Sequence, residues 1–250
     1  MALAEESEAG PLRDAVGDRL PLERFALWSS AAPAETPDTT HPDTDILERA
    51  LERSLARSRG GALRSAAFVD RDGTLIVERG YLSDPAGLEL LPGVAAALRL
   101  LRSCGHPVVV VSNQAGVGRG KFPLARVHDV MAGLRRQLRA EGIELDAIRF
   151  CPHAPDAGCS CRKPGTQLYE SVAEDLQLAL RASVMIGDKR LDAAAGHAIE
   201  GTGVLVRSGY GRNEEELIGD GAYPVPDRVF DTLLEAAEWF VSREEQRTAM

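Results

Sequence analysis

The chain of 250 residues carries 38 Asp+Glu against 29 Lys+Arg, a formal net charge of −9, with 44% hydrophobic and only 5% aromatic residues. That length buries a full core. The acidic balance, with no basic stripe, disfavours nucleic acid as a partner, and without an apolar stretch of about 18 residues no membrane span is expected. Residues 1–60 hold 7 Lys+Arg against 12 Asp+Glu and the remainder 22 against 26, so half of the excess negative charge sits in the N-terminal part.

In chain order, Met1 to Gly10 carries Glu5, Glu6 and Glu8 where a signal peptide would carry cations and then an apolar segment, so a cytoplasmic protein is expected. Residues 1–43, rich in Ala, Pro, Glu, Ser and Thr, read as a flexible extension without a catalytic pattern. Residues 44–63 read as an amphipathic helix and linker: Ile46, Leu47, Leu51 and Leu55 recur at helical spacing after Asp43 or Thr44 as a cap, and Gly60-Gly61 stops it. From residue 64 strand-like runs at 66–70, 107–112, 147–150, 183–187 and 203–207 are separated by helical stretches at 92–104, 123–141, 165–180 and 189–199. A last helix is expected at about 227–243, followed by a tail over 244–250. Apolar strands alternating with helices predict an α/β domain over 64–243, a Rossmann-like three-layer sandwich with a central parallel sheet.

The first of these strands delivers Asp70, Asp72, Gly73 and Thr74 at the carboxyl edge of the sheet, where open α/β folds bind ligands. The glycine turn lets Asp70 point into a crevice as a nucleophile while Asp72 moves a proton as general acid and base; the bland alternative is a surface turn. Paired carboxylates need a cation between them, and Mg²⁺ suits oxygen ligands. Ser112-Asn113-Gln114, ahead of a glycine-rich stretch, offers a hydroxyl for a phosphate oxygen, and Arg162-Lys163-Pro164 offers a point charge for it, with Pro164 opening a helix. Gly187-Asp188-Lys189 supplies a further Mg²⁺ ligand in Asp188, unless that residue is only a helix cap, and Asp192 either orients Asp188 or lies on a solvated face. Cys151, His153, Cys159 and Cys161 make the four ligands of a closed structural zinc site, with free thiols or a disulfide as the alternative. Cys104 is left over as a small buried hydrophobe. Only 41 residues separate Asp70 from Ser112 and 50 separate Ser112 from Lys163, too few for a cap domain, so the domain is expected to be capless with a zinc-binding loop.

D-x-D-G-T, S-N-Q, R-K-P and G-D-K-x-x-x-D, each at a strand end and in that order, resemble the haloacid dehalogenase superfamily of phosphatases. Within it the chain is similar, over roughly 64–242, to the D-glycero-D-manno-heptose 1,7-bisphosphate 7-phosphatases, on Phe68 to Thr74, Gly80-Tyr81, Ser112 to Gln114, Gly118 to Phe122, Cys151-Pro152-His153, Cys159 to Pro164 and Gly187 to Lys189. The resemblance implies a phosphoaspartyl intermediate on Asp70, acid/base work by Asp72, and Mg²⁺ on Asp70, the Asp72 carbonyl and Asp188. It implies that Ser112 and Lys163 steady the phosphoryl group, that Arg162 recognises the rest of the substrate, and that Glu78, Arg79, Gly80, Tyr81, Asn113, Gln114, Ala115 and Lys189 complete the substrate site. A small phosphorylated sugar is the expected partner, and a monomer the expected state. Histidinol-phosphate phosphatase and polynucleotide 3′-phosphatase are the enzymatic alternatives, and a non-catalytic sugar-phosphate-binding module the other class. Ser112 stands where many relatives have Thr, the zinc loop is shorter than in some members, and the extension of about 60 residues has no recognised counterpart.

Overall fold

The computed structural model describes residues 63–248; the expected extension over 1–43 and the expected helix over 44–59 lie outside the described residues. Six strands, β1 (Ala67–Val69), β2 (Val108–Asn113), β3 (Ala147–Cys151), β4 (Val184–Gly187), β5 (Thr202–Val206) and β6 (Arg228–Phe230), form one sheet in the order β3-β2-β1-β4-β5-β6. Every pairing is parallel. The helices are α1 (Val94–Ser103), α2 (Ala115–Gly118), α3 (Leu124–Ala140), α4 (Gln167–Leu176), α5 (Arg190–Ala198), α6 (Gly211–Glu216) and α7 (Leu233–Thr248).

Burial on both faces explains why the strands are continuous apolar runs rather than alternating ones. Ala67, Val69, Val108, Val110, Val184, Ile186, Val204 and Val206 share one core with α1, α3 and α7. The intervening Phe68, Val109, Val111, Met185 and Leu205 are equally buried on the other face, where Phe68 meets Tyr169 of α4 edge-on with centroids 5.0 Å apart. Each such side chain contributes on the order of 1.5–3 kcal/mol relative to exposure.

The expected helices and strands fall close to where the periodicity puts them, the short helices α2 and α6 come in addition to them, and three expected bounds differ. Helix α4 stops at Leu176 instead of near 180, because Gln177 turns into the left-handed region at φ 54. The start of the stretch expected as one helix over 227–243 is instead strand β6, a three-residue edge strand between Asp227 and Asp231 that is too short to show a period. At the other end α7 continues to Thr248, across most of the stretch expected as a tail over 244–250. Glu244 is buried there and holds Arg247 at 2.7 Å, so helix-forming charged residues that read as solvated extend the helix instead.

What matters for function is the carboxyl edge. Val69 is level with Val110 and with Ile186, so Asp70 leaves the sheet at its centre, between β2 and β4. Between β1 and β3 the described chain holds only a 3-10 turn at Pro85–Gly87, α1, β2, α2 and α3, and no cap domain is inserted.

Candidate active site

Asp70 is buried, its backbone N–H bonded to the Ile186 carbonyl at 2.9 Å, which continues the β1–β4 ladder and aims the side chain outward. Its carboxylate accepts from Lys163 Nζ at 2.6 Å. The same ammonium donates to Asp192 at 2.7 Å and to the Val111 carbonyl at 2.8 Å, so all three of its protons are engaged. Burial alone would strip a proton from Lys163, but Asp192 and Asp70 hold it on and raise its pKa. Asp192 is therefore neither solvated nor bonded to Asp188; its second oxygen accepts the Lys189 backbone N–H at 3.1 Å.

Lys163 reaches this place from the loop after β3, and Asn113 fixes it: the Asn113 amide accepts the Lys163 N–H at 3.0 Å and donates to the Lys163 carbonyl at 3.3 Å. Asn113 is thus occupied with holding the loop. Gln114 is similarly placed behind the chemistry. Its Nε2 donates to Ser112 Oγ at 2.7 Å and to the Asp72 carboxylate at 2.9 Å, and its Oε1 accepts from Arg71 at 3.0 Å. Arg71, only 1% exposed, forks onto Asp72 through Nε at 3.1 Å and Nη2 at 2.7 Å. The proton-transfer candidate is thereby locked in orientation by two neighbours that the D-x-D pattern does not advertise.

Asp188 sits between two glycines. Gly73 (φ 77) and Gly209 (φ 53) come from different loops, and a Cβ on either would collide with Asp188 Oδ2. That oxygen accepts the Tyr210 N–H at 2.9 Å, while Oδ1 is buried without any partner. Burial, then Asp70 and Asp192, push its pKa up to about 8. Carboxylate oxygens of Asp70, Asp188 and Asp192 come within 4.8 Å of one another. Lys163 pairs with Asp70 and Asp192 but not with Asp188, which is left with buried negative charge and an orphaned oxygen beside the other two carboxylates. This donor set fits a hard divalent cation such as Mg²⁺.

Above this floor lies a cleft of about 280 Å³ lined by Asp70, Asp72, Glu78, Gly80, Tyr81, Ser112, Asn113, Gln114, Ala115, Arg162, Lys163 and Lys189 among others. Arg79 is not among them; its guanidinium is spent on Glu89 at 2.6 Å on the exposed surface. The Glu78 carboxylate, raised in pKa by burial and by Asp72, accepts the Gly80 N–H at 2.6 Å. Arg162 presents a buried Nη1 with no partner. Two rim residues outside the expected set complete the wall: Arg119, bonded to the Tyr81 hydroxyl at 2.6 Å, and Tyr210, over which Lys189 sits at 4.7 Å. Arg119 is visible in the sequence as a cation beside the glycine loop; Tyr210 and Arg71 carry no signal there.

Next to the cleft, Cys151, His153, Cys159 and Cys161 place their ligand atoms within 4.8 Å of one another, and none of the three cysteines is in a disulfide. Sulfur–sulfur distances of 3.6 and 3.3 Å and a His153 Nδ1 to Cys161 separation of 3.2 Å are near the edges of a tetrahedron with bonds of about 2.3 Å, about 3.8 Å between sulfurs. The set is compatible with a zinc-binding site. Cys104, expected as a buried hydrophobe, is exposed at the end of α1, beside the Gly105 turn.

A buried carboxylate held by a lysine, with an acidic triad at the edge of a parallel sheet, suits a phosphoryl-transfer hydrolase, and the comparisons agree. Residues 160–236 match the family model described as HAD-hydrolase-like. The chain is 40% identical over 152 residues to the D-glycero-beta-D-manno-heptose-1,7-bisphosphate 7-phosphatase of Escherichia coli O6:H1, covering 58% of this chain and 80% of that one. The enzyme of the same name from Helicobacter pylori J99 is 38% identical over 132 residues, covering 52% and 76%. Among solved structures, D,D-heptose 1,7-bisphosphate phosphatase from B. bronchiseptica, complexed with magnesium and phosphate, superposes with a TM-score of 0.65 at 30% identity, over 72% of this chain and 99% of that one. The chain belongs to this family of haloacid dehalogenase-type phosphatases, hydrolases of phosphate monoesters.

Proposed function

We propose that the chain removes the 7-phosphate of D-glycero-D-manno-heptose 1,7-bisphosphate, working through a phosphoaspartyl intermediate. The reading is carried by the Asp70 carboxylate held against Lys163 Nζ at 2.6 Å under an open cleft, and it is supported by relatives of that printed activity at 37–40% identity.

Asp70 attacks phosphorus, the phosphorus–oxygen bond to the sugar breaks, and Asp72 gives its proton to the leaving oxygen. Asp72 then takes a proton from the water that attacks the phosphoaspartate, releasing phosphate and restoring Asp70. Throughout, Gln114 and Arg71 keep Asp72 on one side of Asp70. Lys163 and Ser112 steady the phosphoryl oxygens, and Lys163 is free to do so once Asp70 gives up its share of that ammonium. Asp70, Asp188 and the Asp72 carbonyl would hold Mg²⁺, which supplies charge neutralisation when bound. Arg162, Arg119 and Lys189 receive the remainder of an anionic sugar, with Tyr81 and Tyr210 as walls. Cys151, His153, Cys159 and Cys161 would hold zinc, which ties down the loop that delivers Lys163.

A phosphate-release panel tests the reading. With Mg²⁺ present, the heptose 1,7-bisphosphate is expected to give the highest kcat/KM, ahead of histidinol phosphate, fructose 1,6-bisphosphate and a 3′-phosphorylated oligonucleotide. Equal or better turnover of histidinol phosphate would move the substrate assignment to that branch.

A further inference from the structure

Tyr169 has no part in the chemistry derived above, yet its position is unusual. It lies in the first turns of α4, six residues after Lys163, with none of its surface exposed. Its ring is fixed edge-on against Phe68 of β1. The hydroxyl is buried and has no hydrogen-bond partner, although it lies within electrostatic reach of Lys163, Asp192 and Asp70. A packed core position that needed only a ring would hold phenylalanine, because a buried hydroxyl left unpaired is unfavourable.

The hydrogen bonds around Lys163 show when that hydroxyl finds a use. Before substrate arrives, the three ammonium protons are taken by Asp70, Asp192 and the Val111 carbonyl, and nothing is left for the tyrosine to accept. During phosphoryl transfer the Asp70 oxygen becomes part of an ester, and the proton it accepted turns to the phosphoryl group. Asp192, itself only 2% exposed, is then the last carboxylate tied to a moving lysine. We propose that Tyr169 is a positioning residue: its hydroxyl donates to Asp192 as Lys163 turns from Asp70 to the phosphoryl group, so that the lysine pivots on a fixed carboxylate. No bond is made or broken by Tyr169. The inference rests on the phosphoaspartyl reading given above.

The test is Tyr169→Phe, which keeps the ring against Phe68 and removes only the hydroxyl, assayed on the heptose 1,7-bisphosphate beside Asp70→Asn and the unaltered protein. Loss of one hydrogen bond to a charged partner formed only during reaction predicts a kcat about tenfold lower with KM within about twofold. The melting temperature should hold or rise, since the hydroxyl has no partner at rest. A kcat within about twofold of the unaltered protein overturns the assignment. A fall in kcat matched by a fall in melting temperature also overturns it, because that marks a packing role. If Asp70→Asn retains turnover, the phosphoaspartyl reading itself fails, independently of the tyrosine.

Discussion

The acidic floor of the cleft and the cysteine loop beside it both gather donor atoms suited to a cation, and they do so in opposite ways. In the loop, four donor atoms, the number a closed structural site takes, lie within 4.8 Å of one another. On the floor, three carboxylates lie together, two of them paired with Lys163, and one oxygen, Asp188 Oδ1, is left without a partner. A saturated site fixes a shape, whereas an unsaturated one has capacity left for substrate. The two are joined covalently, since Cys161 precedes Lys163 by two residues, so the fixed site sets the position of a group in the reactive one.

The sharpest break between them is Asp70→Asn. It should lower kcat at least about a thousandfold at any Mg²⁺ concentration while the zinc content of the purified protein stays the same. Cys161→Ser should do the converse, losing the bound zinc and destabilising the fold by at least about 3 kcal/mol in thermal or denaturant unfolding. Its activity should also fall, because the loop carries Lys163; full activity in a zinc-free variant would separate the two regions after all.

The floor alone should respond to pH when Mg²⁺ is removed. Burial and the neighbouring carboxylates push the Asp188 pKa up to about 8 from the ordinary 3.8, so the folded state holds the extra proton between those values. Its stabilising contribution is complete below the lower value and is lost as pH rises through the upper one. Metal-free protein should thus lose on the order of 2–4 kcal/mol between about pH 4 and pH 8, and Mg²⁺ should restore it at the upper end. A pH-independent unfolding midpoint would show that the acidic cluster is relieved in another way. The smallest effect concerns the rim: Arg119→Ala should raise KM about tenfold, and Arg79→Ala should leave kcat and KM within about twofold.

Much of this was readable before any coordinates. Continuous valine runs between helices announce a parallel sheet, and the residues at three strand ends meet at one edge because the topology is regular. The ligand spacing of the cysteine loop is likewise local. What escaped the sequence was the use of polar side chains at second remove. Nothing in S-N-Q tells that Asn113 clasps a backbone fifty residues away or that Gln114 ties Asp72 to Ser112. Nor does the sequence tell that Arg71, a cation between two acids, is almost wholly buried. Asp192 was legible as one helical turn from Asp188, but its bond to Lys163 depends on a loop reaching in from the far side of the sheet.

The glycine pair around Asp188 also bears on how this site tolerates change. Gly73 and Gly209 belong to loops far apart in sequence, and each fills the space a single methyl group on the other side would need. A substitution at either cannot be relieved by shrinking Asp188, because that removes the carboxylate the site depends on. The two positions are therefore bound to one residue type at the same time, a joint constraint on sequence drift that reaches across 136 residues of chain.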